Sequence, residues 1–239
     1  MNLHAVRNRI VDAPDSWGAR RRARRWTWLV ETFPDLSAMS VIDLGGSVES
    51  WRRAPVRPKH VHVVNLEDQP GEVPDWAEVD HGDACALPDR VRSRRYDLAF
   101  SNSVIEHVGG HERRLRFAET VRGLADSYWV QTPYRYFPIE PHWIAPGMQF
   151  LPVRARAALA RRWPLAKVRA GDLRGALDGV LSTELVDRTQ LRYYFPDSAI
   201  RAERLAGLPK SLIAIRAAGG AGAAGAASGG VGAAGGVGA

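Results

Sequence analysis

Two stretches of this chain gather residue types that can do chemistry. The first is Asp43-Leu44-Gly45-Gly46-Ser47, a carboxylate at the end of the apolar run Ser40–Leu44 and two glycines directly after it. Glycines let a backbone turn tightly and approach a ligand closely. A strand's carboxyl end in an open α/β sheet is where such folds bind ligands. A pyrophosphate would ask for Gly-x-Gly-x-x-Gly facing a helix N-terminus. Here Gly45 is followed by Gly46 and Ser47, and Glu49 stands where a later glycine would be expected. That spacing disfavours a nicotinamide dinucleotide, and an acidic residue there tolerates a sulfonium or an amino group better than a pyrophosphate. The second stretch is Gln131–His142 (QTPYRYFPIEPH), which carries Tyr134, Arg135, Tyr136, Phe137, Glu140 and His142. Its prolines speak against regular structure, and it follows an apolar run, so it is expected to overhang the site as a loop. Histidine titrates near neutral pH and can take a proton from an acceptor. His142 and His107 are the candidates, with Glu106 and Glu140 behind them.

The elements that must position these groups alternate. Ser40–Leu44, His60–Leu66, Ala77–Asp80, Tyr96–Ser101 and Ser127–Gln131 read as strands, short apolar runs ended by turn signals. Glu112–Ala125 has apolar residues at Leu115, Ala118, Val121 and Leu124, a helical spacing. Such alternation predicts a parallel sheet covered on both faces. The end differs: Ala199–Leu205 and Ser211–Ile215, joined by Ala206–Lys210, read as an antiparallel hairpin. Residues 14–33 read as a helix capped by Asp15 or Ser16, its arginines Arg20, Arg21, Arg22, Arg24 and Arg25 forming a solvated face. Val153–Arg162 reads as a further helix.

Two more polar strand ends fit the same plan. Asn65–Asp68 ends the second strand about 20 residues after the glycine turn, where nucleoside-binding α/β folds place a group for ribose hydroxyls; both Asn65 and Glu67 qualify. Asp83, in Gly82–Pro88 (GDACALP), follows the third strand and could accept a hydrogen bond from an adenine amino group.

Taken in order, VIDLGG, VVNLE, GDACALP and YDLAFSNSVIEHV resemble the class I S-adenosylmethionine-dependent methyltransferases, in particular the broad type 11 group, over Ser40–Ile215. The resemblance implies a Rossmann-like three-layer α/β/α sandwich with a seven-stranded, mostly parallel sheet and an antiparallel C-terminal hairpin strand. It implies S-adenosyl-L-methionine as cofactor. Asp43, Gly45 and Gly46 then match the turn around its methionine part. Asn65 stands where the family has an acidic ribose ligand, and Glu67 lies two residues on. Asp83 and Ala84 match the adenine-side pair, and Ser101 and Asn102 meet the amino-acid end. His107 falls at a helix start that serves the fold or the cofactor pocket, which leaves His142 as the preferred base, with Glu140 orienting it.

The bulk composition bounds the rest. The chain has 239 residues, 45% hydrophobic and 25% charged, an ordinary globular balance. Net charge is +7, almost all from arginine, since the lysines are Lys59, Lys167 and Lys210 only. The arginines are spread along the chain, so nucleic acid is an open but not favoured partner. Cys85 is the single cysteine, which excludes an intrachain disulfide and a cysteine zinc site and suits a reducing, cytoplasmic setting. No signal peptide or membrane span is read, and no metal site. The expected organisation is an N-terminal arginine-rich helical segment (1–36), a methyltransferase domain (37–216) in which 144–198 covers the substrate, and a disordered Gly/Ala tail (217–239). The expected reaction is methyl transfer to an oxygen of a small molecule or glycan; the alternatives are an RNA methyltransferase and a non-catalytic S-adenosylmethionine-binding regulator.

Overall fold

Valine and isoleucine supply much of the runs Ser40–Leu44 and His60–Asn65, and branched side chains pack well on a pleated surface. In the computed structural model, which describes residues 17–165 and 172–218, β1 (Ser40–Leu44), β2 (His60–Asn65), β3 (Ala77–His81), β4 (Tyr96–Asn102) and β5 (Ala125–Pro133) lie parallel. Two more strands, β8 (Ala199–Leu205) and β9 (Leu208–Arg216), complete a seven-stranded sheet in the order β3-β2-β1-β4-β5-β9-β8. Only β9 runs antiparallel to its neighbours β5 and β8. The two-sided burial of β1 and β2 is what a helix-covered parallel sheet requires.

Helices cover both faces. On one, α4 (His111–Leu124) buries Phe117, Ala118, Val121 and Leu124 against Ile42, Ala99 and Val130. The helix α7 (Arg188–Tyr194) joins that cluster through Leu191 and Tyr194, and a capping box of Asp187 and Gln190 starts it. On the other face, α1 (Trp17–Thr32) packs Trp28 and Leu29, and α2 (Val48–Arg52) packs Trp51, against Val41, Val63, Leu98 and Trp129. Each such large side chain contributes about 1.5–3 kcal/mol when fully buried. The short α3 (Asp89–Arg92) buries Val91.

The segment after β5 departs from the expected irregular loop. Ile139–Glu140 (β6) and Ala145–Pro146 (β7) pair antiparallel as a small hairpin. Proline is tolerated there because a two-residue ladder leaves its missing N–H unneeded. Beyond it, α5 (Val153–Arg162) and α6 (Leu173–Leu181) build a third cluster around Trp143, Met148 and Ala157. The last hairpin is tighter than the five-residue turn expected: Ala206 and Gly207 alone make it, both with positive φ (47° and 81°), the conformation that matches strand twist. The proposed caps Asp15 and Ser16 and nearly all of the Gly/Ala tail lie outside the described residues. Among the described residues no helix is long and apolar enough to cross a membrane.

Candidate active site

The β1 turn needs its glycines. Gly45 has φ +80°, and a Cβ there would press on the Val104 methyls; a Cβ on Gly46 would overlap the Asp43 carboxylate. Asp43 itself is 1% exposed. Trp51 Nε1 donates to its Oδ2 at 2.8 Å, and Oδ1 has no partner. Burial pushes the Asp43 carboxyl up to about 7, against the smaller opposing pull of the Trp51 hydrogen bond. Ser47 caps α2, accepting from Ser50 N; the residue that breaks the glycine pattern thus starts a helix.

Above this turn lies a cleft of about 1050 Å³ at the carboxyl ends of β1, β2 and β4. Asp43, Gly45, Gly46, Asn65, Glu67 and Asn102 all line it. Asn65 is internally braced: Nδ2 donates to Gly46 O at 2.7 Å, and Oδ1 accepts from Glu67 N at 3.0 Å. That bracing presents Glu67, whose carboxylate forms no ion pair with a described residue. Three of the predicted cofactor residues fall outside the cleft lining. Ser101 is buried and donates through Oγ to Leu44 O at 2.8 Å. Ala84 sits in the α4-side core. Asp83 accepts from Cys85 N (2.9 Å) and from Arg113 Nη2 (2.7 Å). Burial pulls the Asp83 carboxyl upward, but those two donors outweigh it and hold it below the ordinary range.

The arginine-rich helix supplies a wall that was expected to be a solvated face. Trp26 stacks on Phe100 (centroids 5.9 Å apart) and meets Trp51 edge-on at 5.0 Å. One turn of α1 thereby hangs over the cleft, where Arg22, Arg25 and Trp26 form part of the lining. Arg25 Nη1 donates to Asn102 Oδ1 at 3.0 Å and to Gln131 Oε1 at 2.8 Å. Gln131 also accepts from Ser103 Oγ at 3.0 Å. Ser103 has φ 60°, an uncommon conformation for a serine. Neither Arg25 nor Ser103 is a sequence-predicted site residue. The signal for Arg25 was an arginine one helical position from an aromatic pair; Ser103 carried none.

The four acid–base candidates do come together. His107 Nε2 and His142 Nε2 are 3.1 Å apart. His142 Nδ1 lies 2.7 Å from Glu140 Oε1, and Glu140 Oε2 accepts from Trp143 N at 2.8 Å. His107 Nδ1 lies 3.1 Å from Ser182 O. Glu106 is buried; its Oε2 accepts from Thr132 Oγ1 at 3.0 Å and its Oε1 has no partner. Burial pushes the Glu106 carboxyl up to about 7. The β6–β7 hairpin presents His142 from its turn, next to Ile144 at φ 51°. Trp163 Nε1 ties the hairpin to α5 by donating to Trp143 O at 2.7 Å.

Alternation along β5 relates the two groups. Trp129 packs on the α1 face and Val130 on the α4 face. Period-2 alternation then sends Gln131 toward the cleft and Thr132 toward Glu106. The cleft and the histidine cluster therefore share one carboxyl edge of the sheet and approach it from opposite faces.

No family model and no curated protein matches the chain. Solved structures do. A magnesium protoporphyrin IX methyltransferase from Synechocystis PCC 6803 with bound SAH superposes with TM-score 0.51 at 14% identity, covering 91% of this chain and all of that one. A possible exported protein from Bordetella parapertussis superposes with TM-score 0.53 at 12% identity, covering 91% and 80%. An O-methyltransferase family protein from Burkholderia thailandensis gives TM-score 0.47 at 12% identity over 91% of this chain, which spans only 60% of that protein's length. With the sheet order and the antiparallel β9, the likeness to the magnesium protoporphyrin IX methyltransferase shows that the chain has the class I methyltransferase fold.

Proposed function

We propose that the protein is an S-adenosyl-L-methionine-dependent methyltransferase that acts on a small molecule or glycan, with oxygen as the accepting atom. The observation that carries this reading is the cleft at the carboxyl ends of β1, β2 and β4, lined by Asp43, Gly45, Gly46, Glu67 and Asn102 within a class I sheet. The residues present fit the cofactor. A buried carboxylate with an unpartnered oxygen is costly alone, and a sulfonium and an ammonium would answer it. The glycine turn leaves room for the methionine part. Glu67 takes the ribose hydroxyls, because Asn65 spends both ends of its amide on the backbone. Asn102 takes the amino-acid end, with Ser101 contributing backbone groups alone. For the adenine end the reading keeps Asp83 and Ala84 on their chain position after β3.

When bound, the cofactor supplies an electrophilic methyl on a good leaving group. The chain's own work is then to hold the acceptor in line and to accept its proton. Trp26 and Arg25 close one side of the cleft and exclude water. Glu140 orients His142 through Nδ1, and the His142–His107 pair, whose Nε2 atoms lie 3.1 Å apart, takes up the acceptor's proton. We assign the covering of that end to the described parts of segment 144–198, which pack on Trp143 in a cluster of their own. Charge at the cleft is mixed, Arg22, Arg25 and Arg53 against Glu49, Glu67 and Asp68. A mixed rim suits a small acceptor better than a polyanion.

Titration calorimetry with S-adenosylmethionine and with NAD tests the cofactor. Heat with the first and none with the second is expected, and Asp43→Ala should weaken binding far more than Asp83→Ala. A folded protein that gives no heat with S-adenosylmethionine defeats the reading. Binding without methyl transfer into any host extract would instead indicate a non-catalytic binder, and steeply salt-dependent tRNA binding an RNA acceptor.

A further inference from the structure

The two facing imidazoles pose a question that their hydrogen bonds sharpen. Ser182 O can only accept, so His107 carries its proton on Nδ1. Glu140 is a carboxylate acceptor, so His142 does the same. Unless one ring carries a second proton, both Nε2 atoms then turn lone pairs toward each other across 3.1 Å, and a cation between or beside them answers both. A metal ion bound by imidazole at roughly 2.0–2.1 Å per bond holds two such nitrogens roughly 3 Å apart. A carboxylate completes the set: ligand atoms of Glu106, His107 and His142 all lie within 4.8 Å of one another, and Glu106 Oε1 is buried without a partner.

We propose that Glu106, His107 and His142 form a divalent transition-metal site, two imidazoles and one carboxylate, at the carboxyl edge of β4 and β5. The outer contacts are those a metal site needs. Each ligating histidine directs its other nitrogen to a carboxylate or a backbone carbonyl, which fixes tautomer and ring orientation. Imidazole with carboxylate suits ions of the Zn²⁺, Mn²⁺ or Co²⁺ class more than Ca²⁺ or Mg²⁺. A second grouping, His62 with Glu78 and Asp80, differs in that its donors are already used. His62 bonds Tyr96 OH and Asp80, Asp80 pairs with Arg90, and Glu78 pairs with Arg94.

Three protein ligands leave coordination positions open, as in catalytic rather than structural sites. An acceptor hydroxyl on such an ion loses its proton more easily. This last role rests on the proposed methyl transfer, and it would hand the activation of the acceptor from the free His142 imidazole to the ion. Ion binding itself does not rest on it.

The test is calorimetric titration of Zn²⁺ into the metal-stripped full chain, with Co²⁺ absorption as a second readout. One equivalent should bind with micromolar or tighter affinity, and Co²⁺ should develop d–d bands. His107→Ala and His142→Ala should each weaken binding at least tenfold. Glu140→Gln should weaken it roughly 10–100-fold through the outer contact, while His81→Ala, an exposed histidine elsewhere, should leave it unchanged. Should the alanine variants misfold by circular dichroism, Zn²⁺-induced shifts of the His107 and His142 ring nitrogens in the wild-type NMR spectrum replace them. Absence of stoichiometric uptake, uptake that survives loss of both histidines, or rings that do not respond overturns the site. S-adenosylmethionine calorimetry on the same sample reads the methyltransferase proposal separately.

Discussion

A buried carboxylate such as Asp43 must either find donors or keep its proton, and Asp43 has one donor, Trp51 Nε1. Its carboxyl is pushed up to about 7, by burial above all, whereas in the unfolded chain it titrates near 3.8. Between those values the folded state holds the proton that the unfolded state has released, so stability falls as pH rises from about 4 to 7. Asp43→Asn keeps an oxygen for Trp51 and should flatten that part of the profile, read as urea midpoints at pH 4.5 and 7.5. The same variant should lose at least tenfold in S-adenosylmethionine affinity, because the charge that answers the sulfonium is gone. Trp51→Phe should cost about 1–3 kcal/mol by leaving a buried oxygen bare, measured by urea denaturation. Gly46→Ala should weaken the cofactor similarly and destabilise by about 1–3 kcal/mol, since its Cβ meets the Asp43 carboxylate. Asp43, Gly45 and Gly46 were legible in the chain because a strand and its turn are local. The pairing of Asp83 with Arg113, outside the cleft lining, was not, because Arg113 comes from another element, 30 residues on.

The elements divide in the same way. Every main strand was readable from the sequence, with ends moved by one to three residues, most at β9, which begins at Leu208 rather than Ser211. Long-range pairing decides such ends: β5 extends to Pro133 because β9 runs alongside it as far as Ser211. The β6–β7 hairpin was hidden by its prolines; contacts from beyond it brace the segment, Gln149 Nε2 donating to Arg135 O and Phe137 O. Helix α1 was visible as a helix but not as a wall of the cleft. Trp26→Ala should loosen it: faster amide exchange over residues 22–32, with β1 and β4 unchanged, and weaker cofactor binding. In the β8–β9 turn, Ala206 sits at φ 47°. Ala206→Asn, giving the favoured Asn-Gly pair, should stabilise by about 0.5 kcal/mol, seen as a raised melting temperature.

At the scale of the whole molecule, a ligand that binds only the folded chain stabilises it by mass action, about 2.7 kcal/mol at a hundredfold excess over Kd. For a chain of this size that is a rise of roughly 5–10 °C in Tm. S-adenosylmethionine should produce it and NAD should not, by differential scanning fluorimetry. The sequence by itself determined the alternation of strands and helices, the glycine turn and the closing hairpin, because these depend on periodicity and on backbone conformations open to few residues. Only the tertiary structure decided which side chains meet. His107 reaches His142 across 35 residues of chain, and Arg25 reaches Asn102 and Gln131 across 77 and 106. Contacts of that range are selected by sheet order and by packing on the sheet's two faces, and no local pattern encodes them.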